Sequence, residues 1–251
     1  MPLRRALSIV LRTYKVGESD KLVVFFTRDY GKIRGMARAA RRPRSRFGAS
    51  LEIGTEVELT FFEKDNRELV SVDRCDIVRS RFSKLGEPIA ASTLGYVTDL
   101  VDNFALEREP NKHLYRLLRA TVGAIADQPN CETRARYFEA WLLRLAGAYP
   151  RRKNCPGCGR SLADEGARYL ASEQRLECQR CLGSGVSLSA AAVRFLEAIW
   201  KQPPESLAPP EAPSALRELG VFHYRLIQEQ LEKDLKSHQV LEDMLRQGHD
   251  R

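Results

Sequence analysis

Histidine is scarce in this chain, with four residues in 251: His113, His223, His238 and His249. None stands near a cysteine or a paired carboxylate, so no nucleophile has an adjacent base to activate it. His113 falls in the first turn of an expected helix, and His223 and His238 fall on the last one, where surface or packing roles suffice. The phosphate-cradling G-x-x-x-x-G-K-[ST] loop is missing, as are G-x-G-x-x-G after a strand, H-E-x-x-H and G-x-S-x-G. Glu107 and Glu109 flank Arg108 as a solvated helix end rather than as a catalytic pair. The expectation is a protein that is not an enzyme. No apolar run approaches the ~18–20 residues of a membrane span. The opening Met1-Pro2-Leu3-Arg4-Arg5 leads into alternating residues instead of the apolar stretch of a secretory signal. A cytoplasmic location with reduced cysteines is therefore expected.

What is present is an ordinary globular composition, 43% apolar and 29% charged. A chain of this length buries a core without disulfide staples. Lys and Arg number 41 against 33 Asp and Glu, a formal charge of +8. Such an excess points to a polyanionic partner. It is concentrated between residues 28 and 46, where Arg28, Lys32, Arg34, Arg38, Arg41, Arg42, Arg44 and Arg46 are opposed only by Asp29.

Periodicity divides the chain. Segments 8–14, 21–27, 33–37, 56–63 and 69–78 read as strands. The apolar run 21–27 suggests burial on both faces, and the turn signal 29–32 suggests a hairpin. Five short strands in about eighty residues suit a small closed barrel of the OB type. After Glu87 the period becomes helical. Ile89, Leu94, Val97, Leu100, Val101 and Phe104 form one stripe, with Pro88 in the first turn. Asn111 caps a second helix, and Phe138, Trp141, Leu142, Leu145 and Tyr149 mark a third. These three helices are expected to pack together. Ser189 caps a short helix, prolines 203–213 read as a stiff linker, and a final helix runs from 214 towards 245 with a possible break at Gly220. The predicted class is α+β: an OB barrel over 1–82, a helical domain over 83–153, a cysteine module over 154–186, and a C-terminal helical part over 187–251 that returns to the helical domain.

Cys155, Cys158, Cys178 and Cys181 form C-x2-C-x19-C-x2-C. Two residues between thiolates let one turn offer both sulfurs to one ion, with Gly159 and the Gly183 region easing the approach of backbone N–H groups. Two such knuckles complete a tetrahedral Zn2+ and leave no open position, so the expected role is one structural zinc. Disulfides or redox pairs would need an oxidising compartment or a thioredoxin-like context. Cys75 and Cys131 have no spaced partner.

The arginine-rich loop on a barrel suits nucleic acid, with Lys32, Arg34, Arg38, Arg41, Arg42, Arg44 and Arg46 as phosphate contacts and Tyr14, Tyr30 and Phe47 as stacking candidates, though each ring is as readily a core residue. An RNA-binding or ribosome-associated zinc protein fits the same features, since contacts to a 2′-OH leave no mark in sequence. A nuclease would need clustered carboxylates for metal ions near the patch, and none is found. A scaffold binding an acidic protein is a further alternative.

Several stretches together carry a family resemblance. They are 27–35 (Thr-Arg-Asp-Tyr-Gly-Lys-Ile-Arg-Gly), the loop 39–47, Leu106-Glu107-Arg108-Glu109-Pro110-Asn111 with Leu114, Tyr115, Leu117 and Leu118, the four cysteines, and the helix 226–241. In that order they resemble the bacterial recombination mediator RecO family, over nearly the whole chain. The resemblance implies an OB-fold, a helical domain and a zinc module. It further implies binding of single- and double-stranded DNA, annealing of complementary strands, a complex with RecR, contact with the acidic C-terminal tail of single-strand binding protein, indirect help in loading RecA, and a nucleoid-associated place in the cytoplasm. For the acidic tail, Arg134, Arg136 and Arg144 beside Trp141 and Tyr137 are the candidates, although Trp141 alone reads more simply as core.

Overall fold

Alternating residues in the first eighty positions form five strands that close on themselves in the computed structural model, which describes residues 2–63, 68–81, 86–127, 130–150 and 152–249. They are β1 (Leu3–Val16), β2 (Asp20–Thr27), β3 (Gly31–Ala37), β4 (Glu56–Phe62) and β5 (Leu69–Arg79). The barrel order is β1-β2-β3-β5-β4, with β3 and β5 parallel. Closure in this order, with one parallel seam, is the OB arrangement and leaves no free edge. β1 starts at Leu3 rather than Ser8 because it serves two neighbours: its first half pairs with β4 and its second with β2, across a bulge between Val10 and Arg12. Val10, Val23, Phe25, Ile33, Val57, Leu59, Phe61, Val70 and Val72 fill the interior, and Phe47 and Leu51 close it from a 3-10 turn, Gly48–Leu51.

The chain divides into two compact units, Met1–Asp127 with Lys236–Arg251, and Gln128–Leu235. In the first, α1 (Pro88–Phe104), α2 (Lys112–Asp127) and α7 (Lys236–His249) accompany the barrel. Pro88 stands in the first turn of α1, and Asn111 Oδ1 accepts from the Leu114 N–H at 2.9 Å to start α2. The apolar run of β2 is buried on both faces, as its sequence suggests. Val23 and Phe25 point into the barrel, while Val24 and Phe26 point outward and are also buried, Phe26 lying 6.3 Å from Tyr115 of α2. The segment after α1 crosses the β2–β3 turn, with the Arg108 N–H donating to the Lys32 carbonyl at 2.9 Å. Gly31 permits this crossing. Its φ is +67°, and a Cβ there would stand 2.3 Å from the Glu109 carbonyl oxygen.

The second unit holds α3 (Cys131–Leu145), α4 (Leu162–Glu165), β6 (Ala167–Leu170), β7 (Arg175–Glu177), β8 (Val186–Leu188), α5 (Ala190–Ile199) and α6 (Ser214–Leu231). Its small sheet has the order β7-β6-β8. Ser189 caps α5, its hydroxyl accepting from the Ala192 N–H at 3.2 Å.

Three sequence expectations change here. The first concerns domains: α1 and α2 cluster with the barrel and α3 with α5 and α6, so the boundaries at 82 and 153 are not those of the compact units. The second concerns the proline segment, which is packed rather than a free spacer: Pro204 and Leu207 are buried, and the Leu207 carbonyl accepts from Arg134 Nη1 at 2.8 Å. The third concerns the final helix, which breaks after Leu231, where Glu232 has φ +53°, and not at Gly220. Gly220 lies within α6 for another reason. A Cβ there would come within 2.5 Å of Arg136 Cζ, so the missing side chain gives the buried guanidinium its place. Arg136 Nη1 donates to Glu139 Oε1 at 2.8 Å, Glu139 Oε2 meets His223 Nδ1 at 3.0 Å, and His223 Nε2 meets the Tyr149 hydroxyl at 3.2 Å. Burial pushes the His223 imidazole below its ordinary value despite the pull of Glu139.

Candidate nucleic-acid interface and metal centre

The loop 38–47 leaves β3 with Ala39 in the left-handed region, at φ +55°, and is tied to the β1–β2 turn. The Arg41 N–H donates to the Ser19 carbonyl at 2.9 Å, Arg41 Nη1 to the Gly17 carbonyl at 3.1 Å, and the Ala39 N–H to Asp20 Oδ1 at 2.8 Å. The Ala39 N–H, with the Ser19 hydroxyl and the nearby Arg38 and Arg42, holds the Asp20 carboxyl below its ordinary range. Backbone anchoring of this kind presents the side chains outward. Arg38, Arg41, Arg42, Arg44 and Arg46 are all exposed, and none lies within ion-pair distance of a carboxylate among the described residues. Arg46 lies over the Phe47 ring at 5.0 Å and donates to the Val72 carbonyl at 3.4 Å.

Two residues grouped with this loop in the sequence have other partners. Lys32 is buried, with Nζ 3.4 Å from carboxylate oxygens of both Asp102 and Glu107 and donating to the Asp102 carbonyl. It staples the barrel to the end of α1 and is withdrawn as a phosphate contact. Arg34 is half-exposed and pairs with Glu107 at 3.2 Å, so part of its charge is answered within the protein. Of the stacking candidates, Phe47 belongs to the core, Tyr30 packs edge-on against Phe61 at 5.7 Å, and Tyr14 remains open at 44% exposure.

In the second unit the four spaced cysteines converge. The sulfurs of Cys155, Cys158, Cys178 and Cys181 all lie within 4.8 Å of one another, and Cys158 and Cys178 are 3.6 Å apart. A tetrahedral ion with bonds of about 2.3 Å to sulfur would set neighbouring sulfurs about 3.8 Å apart. The first knuckle turns at Gly159, with φ +74°, whose N–H donates to the Cys155 carbonyl at 2.8 Å. The second is closed by the Cys181 and Leu182 N–H groups on the Cys178 carbonyl, both at 3.1 Å. Gly183 stands in open space, and the close approach to the cluster is made by Gly157, where a Cβ would lie 3.2 Å from Cys181 Sγ; Gly185, at φ +117°, instead lets the chain pass the Tyr169 carbonyl of β6. Burial pushes the Cys155 thiol up, but backbone N–H groups of Cys178, Cys158 and Gly157 outweigh it and bring it down to about 6. Hydrogen bonds within the cluster push Cys181 up to about 12. Sulfurs this close compete for protons, and a cation at their centre removes the conflict. Cys75 and Cys131 are buried elsewhere, and burial pushes Cys75 up to about 12, where it is inert.

Two of the three arginines assigned to an acidic peptide, Arg134 and Arg136, are not on a surface, while Arg144 is exposed. Arg134 and Arg136 are buried at 2% and 0% exposure and engaged as described above. Trp141 is half-buried, with its indole N–H donating to the Ile199 carbonyl at 3.2 Å. Arg144 stacks on both Trp141 and Trp200, at 4.8 and 5.2 Å. Beside them lies an apolar cleft of about 200 Å³, walled by Tyr149, Leu196, Trp200 and Phe222 and rimmed by Arg152, Lys153 and Lys201. Sequence reasoning missed it because its lining comes from at least five separated stretches with no shared spacing. Among the described residues no helix is long and apolar enough to cross a membrane.

Comparison with known proteins accords with these features. Residues 1–81 match the family model for the Recombination protein O N terminal region, and residues 86–239 match that for the C terminal region. The DNA repair protein RecO of Koribacter versatilis is 32% identical over 246 residues, covering 96% of this chain and 99% of that one. That of Anaeromyxobacter dehalogenans is 30% identical over 88% of this chain and 91% of its own, and that of Halalkalibacterium halodurans is 33% identical over 71% and 68%. With both family models matched in order and relatives aligned over most of their length, the chain belongs to the RecO family, and its role lies in DNA repair and recombination.

Proposed function

We propose that this protein is a recombination mediator that works by electrostatics and performs no catalysis. It binds single- and double-stranded DNA, anneals complementary strands, and with RecR helps load RecA onto DNA coated by single-strand binding protein. The observation that carries this reading is the loop of five exposed arginines without carboxylate partners on a barrel of the OB type. Arginines facing solvent without counter-charges neutralise phosphates, release condensed counterions and favour binding irrespective of sequence. Two strands neutralised on one protein repel each other less, so pairing accelerates. The four cysteines hold one structural Zn2+, whose thiolate-rich, closed donor set suits that ion and fixes the fold around both knuckles. The setting is the cytoplasm, at the nucleoid.

The test is annealing of two complementary oligonucleotides coated with single-strand binding protein. Annealing should proceed at the same rate with and without ATP, because the chain offers no phosphate-cradling loop. A rate that depends on nucleotide hydrolysis would contradict the mediator reading, and equal annealing of matched RNA strands would favour the RNA-binding alternative.

For the acidic tail, the cleft supports a different placement from the buried Arg134 and Arg136. An apolar cavity of ~150 Å³ accepts a benzene-sized ring, so a cleft of about 200 Å³ can take an aromatic end while Arg152, Lys153 and Lys201 meet carboxylates. The expected result for Lys201→Glu with Lys153→Glu is a loss of peptide affinity of at least tenfold by fluorescence anisotropy, the melting temperature being preserved. Wild-type affinity in that folded variant would remove the cleft from consideration.

A further inference from the structure

The first unit carries a second concentration of cationic side chains, away from the arginine loop. Lys112, Arg116 and Arg119 recur at i, i+4 and i+7, so they share one face of α2, and all three are exposed. The first turn of α2 contains no acidic residue. Cations there oppose the positive end of the helix dipole, and Lys112 and Arg116 repel each other at i, i+4. Both effects weaken the helix slightly against the packing of its buried face, and an anion bound there would relieve them.

The same face continues onto the barrel. Arg79 and Arg81, at the end of β5, and Arg119 surround a small pit floored by Glu56. Glu56 is 4% exposed. One of its oxygens accepts from Arg119 Nε at 2.8 Å and meets the Tyr115 hydroxyl at 3.3 Å; the other is buried and has no hydrogen-bond partner. Arg81 pairs with Asp127. Arg79, Lys112 and Arg116 have no carboxylate partner among the described residues. With Arg81 answered by Asp127 and Arg119 by Glu56, the excess charge at the pit is that of Arg79, and Lys112 and Arg116 extend it along α2. The open Glu56 oxygen is an acceptor that calls for a donor such as water, so the cations alone point to an anionic ligand.

Strand register places this surface at the far end of the barrel from the loop. Glu56 is opposite Arg79 on β5 and opposite Ile9 on β1, and Ile9 is opposite Phe26 on β2. The arginine loop departs from Ala37, which is opposite Lys21 on β2. From Lys21 to Phe26 the strand rises roughly 17 Å, at about 3.3 Å per residue. The two cationic surfaces therefore lie farther apart than one screening length at physiological salt, ~8 Å.

We propose that the α2–β5 face is a second binding surface for a phosphodiester backbone, so that one copy of the protein holds two single strands, one at each end of its barrel. The inference rests on the annealing function proposed above and gives it a geometry. The test uses the full chain with two non-complementary 12-nucleotide single strands. The readouts are stoichiometry by native mass spectrometry and the dependence of affinity on salt. Wild-type protein should bind two strands. The triple variant Arg79→Ala, Lys112→Ala, Arg116→Ala should bind one, and its log–log salt slope should fall by about 2, from three lost contacts at ~0.7 each. All three substitutions are at exposed positions, and a melting temperature no lower than that of wild type confirms that the variant is folded. A triple variant that still binds two strands with the wild-type slope overturns the second surface, and the face would then belong to an acidic protein or to solvent. A loop variant that loses nothing, tested alongside, would instead overturn the assignment of the arginine loop and leave the α2–β5 surface standing on its own variant.

Discussion

Serine in place of Cys178 is expected to unfold the region from Lys153 to Leu188 while leaving the barrel intact. Cys178 is fully buried, and its N–H donates to Cys155 Sγ at 3.3 Å, so the residue belongs to both knuckles at once. Each strand pairing of the small sheet holds only three residue pairs. Sheets this short lack the buried area to stand alone, and structural zinc contributes ~10–16 kcal/mol of apparent binding free energy at neutral pH in isolated zinc modules. Loss of one of four ligands removes most of that. Elemental analysis should find one zinc per wild-type chain. Chelation should release four thiols to titration together, with lower solubility and earlier melting. The salt slope for DNA should stay within error of wild type in protein that remains soluble, because the arginine loop belongs to the first unit. Wild-type protein with no zinc and four freely titratable thiols would refute the metal assignment. A selective loss of DNA affinity without a loss of stability would refute its structural role.

Alanine at Arg41, Arg42, Arg44 and Arg46 together should lower the log–log salt slope for single-stranded DNA by about 3, from four contacts at ~0.7 each. These side chains are exposed and none is within ion-pair distance of a carboxylate among the described residues, so most of their charge faces solvent, although Arg41 also donates to the Gly17 carbonyl and Arg42 lies near Asp20. The loss should be nearly equal for unrelated oligonucleotides, since phosphate contacts carry no base information. Stability should change little, because exposed substitutions are usually worth within about ±0.5 kcal/mol. Arg46 could add a small cost, as it also stacks on Phe47 and donates to Val72. Lys32→Ala is the contrasting case. It leaves Asp102 without one partner at a buried junction, so it should lower the melting temperature more than it lowers the salt slope. An unchanged slope in the quadruple variant would move the DNA surface elsewhere, and a loss confined to one sequence would mean base readout.

Much of the architecture was legible in local pattern. Five alternating segments, Pro88 at a helix start, Asn111 and Ser189 as caps, and the spacing of four cysteines each express short-range physics: side-chain direction, orphan N–H groups, and the span of a turn around an ion. The arginine run was legible as an exposed cationic loop because proline and glycine bracket it and no strand can form there.

Sequence by itself determined the barrel, its basic loop and the four-cysteine cluster, since each depends on neighbours within a few residues or on a fixed spacing. Only the tertiary structure decided which charges are free. Lys32 reads like its arginine neighbours, yet Asp102 and Glu107, about seventy positions on, bury and neutralise it. Arg136 reads as a surface cation on an amphipathic helix, yet Gly220 and Glu139 enclose it in the interior. A charge is solvated or paired according to what the fold brings within ~4 Å of it, and that proximity is set by long-range packing that no local pattern encodes.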